Sequence, residues 1–109
     1  IADGILVDVT DAAKETGLRF PTAMTRTVWA LYVEVPEGVE CQDERGRLHD
    51  ILWMLRCRIS ASRQNGDQLL FKLYVRNDNH SPKLVTLKAH CGPGDDLEPV
   101  LTIMLPEED

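Results

Sequence analysis

The sequence predicts an α+β domain of two layers, with an antiparallel sheet of three to four strands covered by two to three helices. Three observations carry this reading. Leu48, Ile51, Leu52, Leu55 and Ile59 recur at helical spacing and make one apolar stripe. Three stretches between residues 68 and 105 alternate apolar and polar residues, with turn-forming runs between them. A short apolar run opens the chain, and helix-start signals follow it. Consecutive strands joined by short loops pair as an antiparallel meander, and an amphipathic helix covers the apolar face. The 109 residues have the length of one domain. Its helical half spans 1–63 after a short first strand, and its β-meander spans 68–105.

Gly4 to Val9 is apolar and β-branched, a buried strand that joins the sheet at an edge or beside the last strand. Thr10 and Asp11 are helix N-caps, Ala12-Ala13-Lys14-Glu15 favours helix, and Gly17 stops it. Pro21 suits the first turn of a second helix, in which Met24, Val28, Leu31, Tyr32 and Val35 recur at helical spacing. Residues 28–33 also have strand propensity, but the start signal favours helix. Residues 36–46 read as an exposed loop. The striped helix covers 46–62, with Arg45, Arg47, Arg56 and Arg63 projecting away from the stripe. In the first long strand, Leu69, Phe71, Leu73 and Val75 face the core, and Lys72, Tyr74 and Arg76 face out. Residues 77–82 turn the chain. Val85, Leu87, Ala89 and Cys91 then face inward, and Thr86, Lys88 and His90 outward. Gly92-Pro93-Gly94-Asp95-Asp96 reads as a tight hairpin turn whose glycines serve its geometry. Leu101, Ile103 and Leu105 line the inward face of the last strand.

The net charge is −6, unevenly spread. Residues 1–50 carry ten acids and five bases, residues 51–94 two acids and seven bases, and residues 95–109 six acids and no base. The total disfavours general nucleic-acid binding, which needs local positive charge. The chain has no run of about 18 apolar residues to span a membrane. Three cysteines, Cys41, Cys57 and Cys91, suggest free thiols in a reducing cytoplasm rather than a disulfide framework. The chain starts at Ile1 rather than Met, which suggests a segment upstream.

Several segments together resemble a family of small proteins encoded on bacterial and archaeal plasmids, integrated elements and phages. They are Ala2-Asp3-Gly4-Ile5-Leu6-Val7-Asp8-Val9-Thr10, Phe20-Pro21 with Thr25 and Val28-Trp29, and Gly46-Arg47-Leu48 with Asp50 and Leu52-Trp53-Met54. Leu84-Val85-Thr86-Leu87-Lys88, Cys91-Gly92-Pro93-Gly94-Asp95, Glu98-Pro99-Val100 and Thr102-Ile103-Met104-Leu105-Pro106 continue the match over nearly the whole chain. The family has no assigned activity or catalytic residue. The resemblance implies an accessory gene of a mobile element, whose product manages host defence or element transfer by binding another macromolecule.

No motif of catalysis, metal ligation or cofactor binding stands out. Cys41, His49, His90 and Cys91 lack paired ligand spacing, and adjacent strand residues point to opposite faces. Nothing in spacing gives Cys91 a base. The Gly92-Pro93-Gly94 loop has few N–H groups for an anion and is followed by two aspartates. Carboxylates at Asp3, Asp8 and Asp11 read as caps and turn residues. Neither a catalytic residue, a metal nor a cofactor is therefore expected, although an enzyme remains a third reading. The leading expectation is a non-enzymatic protein that binds another protein through acidic surfaces made by Glu34, Glu37, Glu40, Asp43, Glu44, Asp95, Asp96 and Glu98. Such clusters can imitate a phosphate backbone and occupy a basic groove on a defence complex. The alternative is a nucleic-acid-binding module that uses Lys72, Tyr74, Arg76, Lys88 and His90 on the outer sheet face. Trp29 and Trp53 flank their helical stripes and read as core edge.

Overall fold

In the computed structural model, which describes residues 5–61, 68–93 and 99–108, the chain runs in order through β1 (Leu6–Asp8), α1 (Thr10–Glu15), β2 (Thr22–Thr25) and α2 (Arg26–Val28). A π-helical turn (Trp29–Val33), α3 (Glu44–Ala61), β3 (Gln68–Val75), β4 (Lys83–Pro93) and β5 (Pro99–Met104) complete it. The strands form one sheet in the order β1-β2-β5-β4-β3. The meander of β3, β4 and β5 is antiparallel as its alternation requires, and β1 lies at an edge. The α+β class holds, but the sheet has five strands and is mixed, because β2 runs parallel to β5.

The additional strand comes from residues expected to open the second helix. Thr22-Ala23-Met24-Thr25 lies between β1 and β5 and pairs with both. Pairing on two sides and burial of Thr22, Met24 and Thr25 outweigh the helix-start signal of Pro21. Only the rest of that segment is helical. Thr25 is the cap, its hydroxyl accepting from Val28 N at 3.3 Å. The helix widens after α2, with Glu34 N donating to Trp29 O at 2.9 Å across a π-turn.

The first helix starts and stops by local hydrogen bonds. Asp8, rather than Thr10 or Asp11, supplies the acceptor at its start. The Asp8 carboxylate receives Thr10 N at 3.0 Å and the Thr10 hydroxyl at 2.6 Å, which hold its pKa below the ordinary value. At the other end Leu18 N donates to Ala13 O and Gly17 N to Lys14 O, both at 3.0 Å, the paired bonds of a Schellman motif. Gly17 has φ +96°, and a Cβ there would lie 2.7 Å from Arg56 Nε. The positive φ of the turn is what calls for glycine there, while the Arg56 side chain lies against the open space it leaves.

Helix α3 covers the inner face. Ile51, Leu52 and Leu55 are fully buried and form one core with Met24, Val28, Val33, Phe71, Leu73, Leu87 and Ile103. The stripe ends there, since Ile59 is exposed. Arg47 departs from expectation. It does not project away but lies buried at 5% exposure. Its Nε donates to Tyr32 O (3.0 Å) and Val33 O (3.2 Å), Nη1 to Arg76 O (2.7 Å) and Gln42 Oε1 (3.3 Å), and Nη2 to Asn77 Oδ1 (2.6 Å). The open carbonyls at the end of the π-turn attract a cation, so the guanidinium turns inward and ties three segments together. Burial, then the nearby charge of Arg76, lowers its pKa.

The segment read as a turn at 92–96 also differs. Gly92 and Pro93 belong to β4 and pair with Val100 and Pro99. Residues 94–96 of that segment lie outside the described residues. A Cβ on Gly92 would sit 2.9 Å from Cε1 of His90, so the glycine there makes room for the imidazole rather than for a turn.

Candidate binding surface

The outer face of the sheet divides into a sealed half and an open half. On the sealed half, residues 105–108 turn back over β2, β5 and β4. Glu108 holds this turn. Its carboxylate receives the Thr25 hydroxyl at 2.9 Å and Leu105 N at 2.8 Å, and Glu108 N donates to Leu105 O at 3.0 Å. The carbonyl of Glu108 receives Lys88 Nζ at 2.5 Å. Thr25 and Met104 are buried on this side, and Lys88 is only 9% exposed.

The open half belongs to β3 and β4. Register sets Lys72 opposite Thr86, Tyr74 opposite Leu84 and Leu70 opposite Lys88. Leu70, Tyr74 and Leu84 are exposed at 54%, 68% and 52%. Neither β3 nor β4 contains an acidic residue, while Lys72, Lys83 and Lys88 supply three cations. Sequence reasoning misses Leu70 and Leu84, although their placement carries a signal. Each is an apolar residue standing in the polar phase of its strand, in Leu69-Leu70 and Leu84-Val85.

The five residues considered for nucleic acid do not act as one open set. Lys72 and Tyr74 are exposed on the face. Arg76 turns away along the hairpin end, donating through Nη1 to Asp78 O (2.7 Å) and through Nη2 to Glu40 O. Lys88 is committed to Glu108, and His90 is half-buried beside Gly92.

The acidic candidates fall into separate roles. Glu34 pairs with Arg26 at 3.3 Å. Asp43 receives Gly46 N at 2.6 Å and so caps α3. Glu37, Glu40 and Glu44 are exposed. Asp95, Asp96 and Glu98 lie outside the described residues. The loop carrying Glu37 and Glu40 is stitched to the β3–β4 turn, with Glu40 N donating to Asn79 Oδ1 and Asn79 Nδ2 to Gly38 O, both at 2.8 Å. Acidic loop and open sheet face therefore meet at the end of the hairpin that carries Tyr74 and Leu84.

Other features offer less. A shallow cavity of about 770 Å³ lies between α1 and the start of α3 and includes Glu15, Cys41, Asp43, Arg45, His49 and Asp50. Within it Arg45 lies 3.8 Å from Glu15, and His49 Nδ1 lies 3.8 Å from Asp50 Oδ1. Among the described residues, no three His, Cys, Asp or Glu side chains gather to hold a metal ion. Cys41 and Cys57 are exposed free thiols, and Cys91 is half-buried against the core. On α3, Trp53 stacks with His49 (ring centroids 6.2 Å apart) and lies under Arg56 (5.2 Å). Trp53 is exposed, and Trp29 packs at the core edge.

These elements define an α+β domain in which helices cover one face of a mixed five-stranded sheet and the opposite face stays partly bare. Among the described residues, no helix is long and apolar enough to cross a membrane. The model of a family of unknown function, DUF6573, matches residues 1–109, and the chain belongs to that family. Neither a curated protein nor a solved structure matches it.

Proposed function

We propose that the protein is a non-enzymatic binding module that docks another protein on the open half of its sheet. The observation that carries this reading is the exposure of Leu70, Tyr74 and Leu84 on one uncovered face, two of them in direct cross-strand register. Apolar side chains grouped on a surface mark an interaction site more often than singly scattered ones do, and aromatic residues supply much of the energy at interfaces. The exposed acids Glu37, Glu40 and Glu44 would add steering contacts along the hairpin end. The mobile-element setting implied by the family resemblance makes a host-defence component the kind of partner proposed. A nucleic-acid role is less well supported, because the Arg76 and Lys88 cations are bonded to backbone carbonyls and, among the described residues, Tyr74 is the one exposed ring on this face, His90 being half-buried.

The test is affinity capture from host lysate with three immobilised forms: the native protein, Leu84→Asp, and the double variant Glu37→Lys/Glu40→Lys. A partner held by the native protein and weakened about tenfold or more by Leu84→Asp supports the open face. A partner indifferent to Leu84→Asp but lost from the double variant would move the site to the acidic loop and overturn this reading. Melting curves for each form separate lost binding from lost fold.

A further inference from the structure

We propose that the partner is held through an extended acidic segment that adds to the free edge of β3 as a sixth strand. This rests on the protein-binding reading above and specifies how the partner is gripped. Strand β3 is an edge of the sheet, eight residues long. In an antiparallel strand the N–H and C=O of one residue point to the same side, and the side alternates. Two arginines show which set faces outward. Arg58 Nε donates to Leu70 O at 3.2 Å, and Arg47 Nη1 donates to Arg76 O at 2.7 Å. Both reach even-numbered carbonyls on the side away from β4. The edge-facing residues between these caps are therefore Lys72 and Tyr74. Among the described residues, nothing bonds their edge-facing N–H and C=O groups.

Among the described residues, the edge is thus bonded at both ends and open in the middle. Unpaired backbone groups of this kind are a template for an added strand, which takes affinity from main-chain hydrogen bonds and specificity from alternate side chains. A groove of about 500 Å³ begins at the Leu70 end, lined by Arg58, Gln68, Leu69, Leu70, Lys88 and Pro106. The exposed side chains of Leu70 and Tyr74 flank the open edge on the bare face, so an added strand would cover apolar surface as it pairs.

Charge selects the occupant. Lys72 lies in the middle of the edge, Arg58 sits at one end, and β3 and β4 hold no acid. A second copy of this chain pairing edge to edge would bring its own Lys72 and Arg58 against these, and opposed like charges destabilise cross-strand pairs. A segment with glutamates or aspartates alternating with apolar residues meets Lys72 and Arg58 instead, its acids set toward the Leu70 end because Asp50 lines the groove at the Tyr74 end. The same lysine that guards the edge against self-pairing therefore admits an acidic strand.

The test uses ¹⁵N-labelled full chain titrated with the blocked peptide acetyl-Glu-Val-Glu-Val-Glu-Val-amide. The expected result is progressive shift of the Lys72 and Tyr74 amides, with their hydrogen exchange slowed about tenfold at saturation. A Lys-Val-Lys-Val-Lys-Val peptide, or the acidic peptide N-methylated at alternate residues, should bind about tenfold more weakly. Lys72→Gln should weaken the acidic peptide through charge alone. Lys72→Pro also removes an edge-facing N–H, a change an edge strand tolerates, and should weaken it further. Unmoved amides at millimolar peptide, equal binding of the methylated peptide, or dimerisation of the free protein through this edge would overturn the inference. A captured partner that is lost by Leu84→Asp but kept by Lys72→Pro would overturn strand addition and leave the docking face standing. One indifferent to Leu84→Asp would overturn the docking face itself.

Discussion

Lys88 and Lys72 stand on neighbouring strands of the same sheet face, yet their surroundings differ. Lys88 lies under the turn of residues 105–108 and donates a hydrogen bond to a backbone carbonyl. Lys72 lies two residues from Leu70 and Tyr74 in the open. The first half of the face has been converted into interior by one short turn. The second half keeps the alternation of a solvated sheet but places leucines where polar residues are expected. The difference shows how this fold treats cations it buries: among the described residues, Lys88 donates to a main-chain oxygen and Arg47 to main-chain and side-chain amide oxygens, and neither to a carboxylate. A cation left uncovered on the face is therefore a feature of the surface rather than of the core.

The contrast can be broken at its strongest point first. Arg47→Ala should lower stability by about 3 kcal/mol or more in urea unfolding, because it strands several buried oxygens at once. Arg47→Lys should recover only part, since one ammonium cannot reach acceptors on three segments. Thr25→Ala removes both the cap of α2 and a bond to Glu108, and should cost about 1–2 kcal/mol. Its hydrogen exchange should rise at Val28 and Leu105 before it rises on β3. Leu84→Asp, on the open half, should change stability by less than about 1 kcal/mol while altering binding. A large loss of stability there would show that the open half is structural after all.

The smallest effect concerns acid. Hydrogen bonds from Thr10 lower the Asp8 pKa in the folded protein. A depressed carboxylate stabilises the fold above its unfolded pKa of about 4, and that contribution is lost as pH falls through the folded value. Asp8→Asn should therefore lie slightly below the native protein in stability at neutral pH, the gap closing in acid. Because Asp8 is exposed, the gap should be small.

Most of the frame was legible because burial follows period. Phe71, Leu73, Val75, Leu87, Ala89, Leu101 and Ile103 lie inside where alternation puts them, and Ile51, Leu52 and Leu55 cover them from α3. What escaped depended on partners distant in sequence. Residues 22–25 became strand because β5, far along the chain, pairs with them. Arg47 turned inward because carbonyls of the π-turn and of Arg76 converge on it. Lys72 and Tyr74 were placed correctly on the outer face, but Arg76 and Lys88 were diverted by oxygens that no local pattern announces. The exposed acids and the bare leucines were both visible as residue types. Only the fold reveals that they meet at one end of the hairpin.

The position of β5 has a consequence for synthesis. Among the described strands it is the last in sequence but central in the sheet, with β1 and β2 on one side and β4 and β3 on the other. Until residues 99–108 leave the ribosome, the nascent chain can hold only two separate two-stranded ribbons, each marginal alone. The sheet, its core and the Thr25–Glu108 clasp must then close almost together. Folding of the sheet thus waits for β5, and a chain halted before it would expose both ribbons to proteolysis and aggregation.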